Sequence, residues 1–196
     1  MNTPGGIDPT TMTSFALWQQ LKFTVNRFEI RAGGKQGPMV ALAQQKRLAL
    51  KEEVSFYADE AQTQKLFGFR SRSVMDLAAT YDITDGQGQQ IGWFKKDFGA
   101  SMLRSTWLMG VPHQQLEGRG QERNQAVALL RRFADISWPI HFDFKASNDA
   151  ELLSVSRGWG IRDAYDCQLP VAPNGARLDW RVAACLAVAC DVLMAR

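Results

Sequence analysis

From Val182 to Cys190 the chain reads Val-Ala-Ala-Cys-Leu-Ala-Val-Ala-Cys, with no polar side chain. A helix of this composition is apolar on every face, so it is either enclosed by protein or immersed in lipid. These residues rise about 14 Å, whereas a bilayer core is about 30 Å thick, and Asp191 stops the run from lengthening. The pattern predicts a core helix enclosed by other parts of the same chain. Elsewhere a period of two dominates, and it predicts antiparallel strands separated by turns. The segments are Phe23 to Ile30, Val54 to Tyr57, Leu66 to Phe69, and the alternating sets Ala79, Tyr81, Ile83 and Ile91, Trp93. They continue with Ser105, Trp107, Met109, then Ile140, Phe142, Phe144, then Leu153, Val155, and finally Ile161 to Leu169. Asp85-Gly86 with Gly88 marks a hairpin turn between two of them. One segment breaks the rule. Glu122 to Ser137 sets Ala126, Leu129, Leu130 and Phe133 at helical spacing, which predicts an amphipathic helix packed outside the sheet.

A degenerate repeat runs through the hairpins. Leu66 to Arg72, Ile91 to Lys96 and Leu153 to Arg157 are each an apolar strand ending in a basic turn, followed by a strand that carries Tyr or Trp. A meander barrel produces such copies, because each hairpin meets the same surroundings. The 196 residues are read as one domain, 14–196, after a disordered polar tail, 1–13, rich in Thr, Pro and Gly. The tail lacks the basic start and apolar stretch of a signal peptide. Cys167, Cys185 and Cys190 are odd in number and match neither a disulfide framework nor a metal pattern. Read as buried small hydrophobes, they indicate a reducing, cytoplasmic setting.

Enzyme signatures are missing: there is no His-Glu-x-x-His, Gly-x-Ser-x-Gly, phosphate-binding loop or dinucleotide fingerprint. The only histidines are His113 and His141, and His141 alternates with Phe142 on a predicted strand, as a surface or hydrogen-bonding residue does. Cys167 has no base beside it in sequence. Asp82, Asp85 and Gly86 lack the spacing of a calcium loop and are accounted for by the turn. No catalytic residue, metal site or cofactor is expected.

Several blocks, taken in order, resemble the LURP-one-related proteins and the phospholipid scramblases of the tubby C-terminal-like superfamily. They are Phe56 to Glu60, Leu66-Phe67, Thr80 to Asp85, Gly88, Ile91-Gly92 and Ser105 to Trp107. Ser156 to Tyr165, Arg177 to Asp179, the apolar helix and Asp191 complete them. The resemblance covers roughly Phe23 to Met194. It implies a mostly β fold: a closed antiparallel barrel of about twelve strands around the hydrophobic C-terminal helix, with the amphipathic helix outside. Ala183, Ala184, Cys185, Ala187, Ala189 and Cys190 would keep the central helix thin enough to fit, and Arg181 and Asp191 would lie toward the two mouths. Scramblases carry an acidic calcium-binding stretch before the last helix, a Pro-rich arm and an acylated cysteine cluster. Here Gln168 to Ala176 contains no carboxylate, and the arm and cluster are missing. The resemblance therefore leans to the LURP-one side.

Tubby proteins bind phosphoinositide headgroups through basic residues on the barrel. This chain has basic turns at Lys46-Arg47, Arg70 with Arg72, Lys95-Lys96 and Arg104, on a net charge of +3. Clustered Arg and Lys suit phosphate. Arg70, Arg72, Lys95, Lys96 and Arg104 are the expected contacts for an anionic phospholipid headgroup at a cytosolic membrane face, without a transmembrane span. Nucleic acid would need a continuous basic stripe with stacking aromatics, and Asp82, Asp85 and Asp97 interrupt these turns in sequence. The alternatives are a scramblase-like lipid transporter and a regulatory protein that binds a small ligand or a protein.

Overall fold

The structure, a computed structural model, describes residues 7, 8, 10–21, 26–45, 52–73, 79–97, 106–123, 141–157, 164–172 and 175–193. Twelve strands follow one another: β1 (Ser14–Leu21), β2 (Asn26–Ala32), β3 (Met39–Gln45), β4 (Glu53–Tyr57), β5 (Lys65–Ser71) and β6 (Thr80–Asp85), then β7 (Gln90–Asp97), β8 (Thr106–Val111), β9 (Leu116–Glu122), β10 (His141–Ala146), β11 (Glu151–Arg157) and β12 (Ala164–Gln168). Each pairs antiparallel with its neighbours in sequence, and β1 closes on β12 with Phe15 opposite Cys167 and Leu17 opposite Tyr165. Closure leaves no sheet edge open to another chain. The hairpin turn read at Asp85 is present: Gly88 N–H donates to Asp85 O at 3.0 Å, with Gly88 at φ 84°.

Down the middle runs α1 (Trp180–Val192), where every residue but Arg181 and Asp191 is buried. Asp179 starts it, accepting from Arg181 N–H at 2.9 Å and holding the Arg181 guanidinium at 2.6 Å. The wall comes close to the helix. A Cβ placed on Gly92 would lie 3.2 Å from Val182 Cγ2 and 3.1 Å from Gly110 O. Large aromatics fill the remaining space, with Phe67 edge-on to Trp180 at 5.3 Å and Tyr81 stacked on Phe94 at 4.8 Å. The central helix is enclosed by the strands, as its uniform apolarity predicts. Among the described residues no helix is long and apolar enough to cross a membrane.

Three strands were not legible from alternation: β1, β3 and β9. The inner positions of β9 are Leu116, Gly118, Gly120 and Glu122. A Cβ on Gly120 would lie 2.3 Å from the Phe144 ring, and one on Gly118 2.9 Å from the Met109 sulfur. The apolar bulk that alternation looks for is supplied by β10 and β8 instead. In β3 burial runs without a break from Val40 to Ala43, so no period shows. The expected outer helix, 122–137, lies outside the described residues from 124 onward, while Glu122 ends β9. Residues 10–13 of the segment read as a tail lie against the barrel. Met12 is buried, Thr13 O accepts from Leu169 N–H at 2.8 Å, and Arg177 donates to Thr10 O and Thr11 O at 3.3 Å each.

Candidate functional site

Alternation divides the basic residues between the two faces of the wall. Phe69, Tyr81, Phe94, Met109 and Phe144 are buried on the inner face, so Arg70, Asp82, Lys95, Leu108 and Lys145, one residue away, face outward. Pairing then sets the outer residues in rows. Arg72 extends β5 by donating its N–H to Thr80 O at 2.9 Å. Thr80 pairs with Lys95, Lys95 with Leu108, Leu108 with Arg119, and Arg119 with Lys145. One outer row therefore carries Arg72, Lys95, Arg119 and Lys145. With strands about 4.8 Å apart it runs roughly 24 Å around the barrel. A second row, two residues along each strand, holds Arg70, Asp82, Trp93, Gly110 and Glu117.

Some of this charge is paired. Arg72 grips Asp82 side-on through Nε and Nη2 at 2.7–3.0 Å, and these hydrogen bonds raise the guanidinium pKa above its usual value. Arg70 lies 3.9 Å from Glu53 and Arg119 4.0 Å from Asp97. These pairs are exposed and contribute little to stability, so a phosphate could compete for the guanidinium groups. The side chains of Lys95 and Lys145 make no hydrogen bond or ion pair with another described residue; Lys145 is exposed, and its charge helps to lower the Asp143 pKa two residues away.

Of the residues expected from sequence, the structure brings Arg70, Arg72 and Lys95 together on the outer wall. Lys96 falls on the inner-facing register, beside Phe94 and opposite Trp107. It is close enough to the far end of α1 to partly offset the upward push that burial gives the Cys190 thiol. Asp191 stands at that same mouth, accepting from Tyr165 OH and from Gln19 Nε2, and Tyr81 OH donates to Glu52 nearby. Arg104 lies outside the described residues. Arg119 and Lys145 were missed because both depend on β9. Without that strand, nothing in the sequence places them beside Lys95.

All three thiols are fully buried and pushed above their ordinary pKa, mainly by desolvation, so none is an available thiolate at neutral pH. His113 Nε2 stands 3.9 Å from the buried Asp179 carboxylate. Among the described residues no three His, Cys, Asp or Glu gather as metal ligands. No protein-family model matches the chain, and no curated protein matches it.

Proposed function

We propose that this chain is a non-enzymatic binding module of the LURP-one-related, tubby-like kind, and that the outer wall of β5–β10 binds anionic phospholipid at a cytosolic membrane face. The observation that carries the reading is the register row of Arg72, Lys95, Arg119 and Lys145. Such a row presents cations to phosphates on a surface, with Thr80 and Leu108 between them and Arg119 next to Lys145. Each basic residue near an anionic membrane contributes about 1 kcal/mol, so four supply roughly 4 kcal/mol, close to a thousandfold in affinity at modest salt.

The test is sedimentation with vesicles of phosphatidylcholine containing phosphatidylserine or phosphatidylglycerol. The wild-type chain is compared with the triple variant K95E/R119E/K145E. The wild type is expected to pellet, increasingly as salt is lowered, and the variant to stay in the supernatant with an unchanged melting temperature. Equal sedimentation of the two would reject the row as a lipid surface.

A further inference from the structure

Beside the basic row lies a hollow of about 370 Å³, lined among others by Trp93, Gly110, Pro112, Gln115, Glu117 and Ser147. Among the described residues its lining contains no lysine or arginine. Trp93 lies outside β7 opposite Gly110, and Gly110 in turn is opposite Glu117. A Cβ on Gly110 would sit 2.4 Å from Trp93 Nε1 and 2.6 Å from Cε2. The missing side chain is what lets the indole lie across β8, in the direction of Glu117. The corner between β8 and β9 closes one end of the hollow. Pro112 begins a short turn, Gln115 N–H returns to Pro112 O at 3.1 Å, and Gln115 takes the left-handed conformation at φ 52°. Holding a non-glycine residue there costs free energy, and it keeps Pro112 and the Gln115 amide at the rim.

An indole ring, an exposed carboxylate, an amide and a hydroxyl form an electron-rich lining that attracts a cation. Two residues along the same outer faces, about 7 Å away, stand Lys95 and Arg119, which attract an anion. Lys145 opposite Arg119 and Ser147 beyond it repeat the same order on β10 and the turn after it. Positive and negative sites thus lie side by side over the four neighbouring strands β7 to β10.

We infer that the two rows together recognise a phosphorylated amino alcohol, with its ammonium held against Trp93 and Glu117 and its phosphate on Lys95, Arg119 and Lys145. The inference rests on the proposed membrane-facing role, to which it adds headgroup selection. The same chemistry occurs in a phosphatidylserine or phosphatidylethanolamine headgroup and in free phosphoserine or phosphoethanolamine.

The experiment compares vesicles of matched charge whose anionic lipid is phosphatidylserine or phosphatidylglycerol, using wild type, E117Q and W93F. Free phosphoserine and phosphoethanolamine are titrated separately by calorimetry. Wild type is expected to favour phosphatidylserine by about tenfold, the scale of one partly desolvated cation–aromatic contact with a carboxylate beside it. In E117Q this preference collapses to near unity while phosphatidylglycerol binding is retained, and W93F, which keeps an aromatic face, retains part of it. Saturable binding of the free amino alcohol phosphates that E117Q removes would support the chemistry and identify a soluble source. Equal binding to the two lipids, unchanged by E117Q, would overturn the headgroup inference and leave the basic row standing. Failure to bind any vesicle, with no response to the free compounds, would reject both readings.

Discussion

At the level of single residues, glycine at position 120 matters for what it leaves empty. Phe144 is fully buried and its ring occupies the space where a side chain on Gly120 would begin, with Cε1 at 2.3 Å and Cδ1 at 2.6 Å. The ring end of a packed phenylalanine cannot swing aside, so Gly120→Ala is an overpacking change, expected to cost about 1–3 kcal/mol. Chemical denaturation should show a lower midpoint with an unaltered slope. Phe144→Leu alone should also destabilise, by opening a void. If the steric account is right, the double variant G120A/F144L is more stable than the two single losses summed, because the shorter side chain yields room to the new methyl. Strict additivity would show that the glycine is needed for another reason.

Among the elements, α1 and the hairpins running from β5 to β8 and from β11 to β12 were legible in sequence, whereas β1, β3 and β9 were not. An unbroken apolar run next to alternating segments has few ways to be buried, so the central helix could be read before any strand was placed. Replacing Ala187, fully buried on α1, with Asp should abolish folding, since an unpaired buried charge costs several kcal/mol, comparable to a domain's whole stability. A soluble A187D chain with the wild-type melting curve would contradict the enclosure. Strand β9 hid because two of its four inner positions are glycines, Gly118 under the Met109 sulfur and Gly120 under the Phe144 ring, a dependence between distant residues that a periodicity cannot display. Two of the four basic positions of the outer row hid for the same reason.

Strand β9 also continues into a testable ion pair. Arg123 bonds Asp143 on β10 at 2.6 and 2.8 Å, and those hydrogen bonds hold the Asp143 carboxyl below its usual 3.8. A depressed folded-state pKa means the unfolded chain takes up the proton first. The pair's stabilisation is therefore complete above about pH 4 to 5 and is lost as pH falls through the lowered folded value. Wild type should exceed D143N in melting temperature at pH 7, and the gap should close as the pH drops below 3.8. A gap of constant size down to acid pH would assign the difference to packing.

For the whole molecule, closure makes the wall one continuous surface on which charge can be distributed without regard to sequence order. That is why a net charge of only +3 is compatible with a basic row: Asp82 and Glu117 sit in the second row and other acidic residues lie at strand ends and mouths, while the first row carries no carboxylate. The same view bears on calcium. A site of micromolar affinity needs several oxygen ligands, carboxylates chief among them, converging on one ion. The segment leading into α1, Gln168 to Ala176, has none, and Asp179 just beyond it is already engaged by Arg181 and the start of the helix. Calorimetry of the full chain with calcium is expected to show only the heat of dilution through the micromolar range, and vesicle binding is expected to be the same with calcium or chelator. A saturable micromolar isotherm, together with vesicle binding that depends on it, would replace the proposed constitutive headgroup binding with a calcium-driven one and favour the scramblase-like reading.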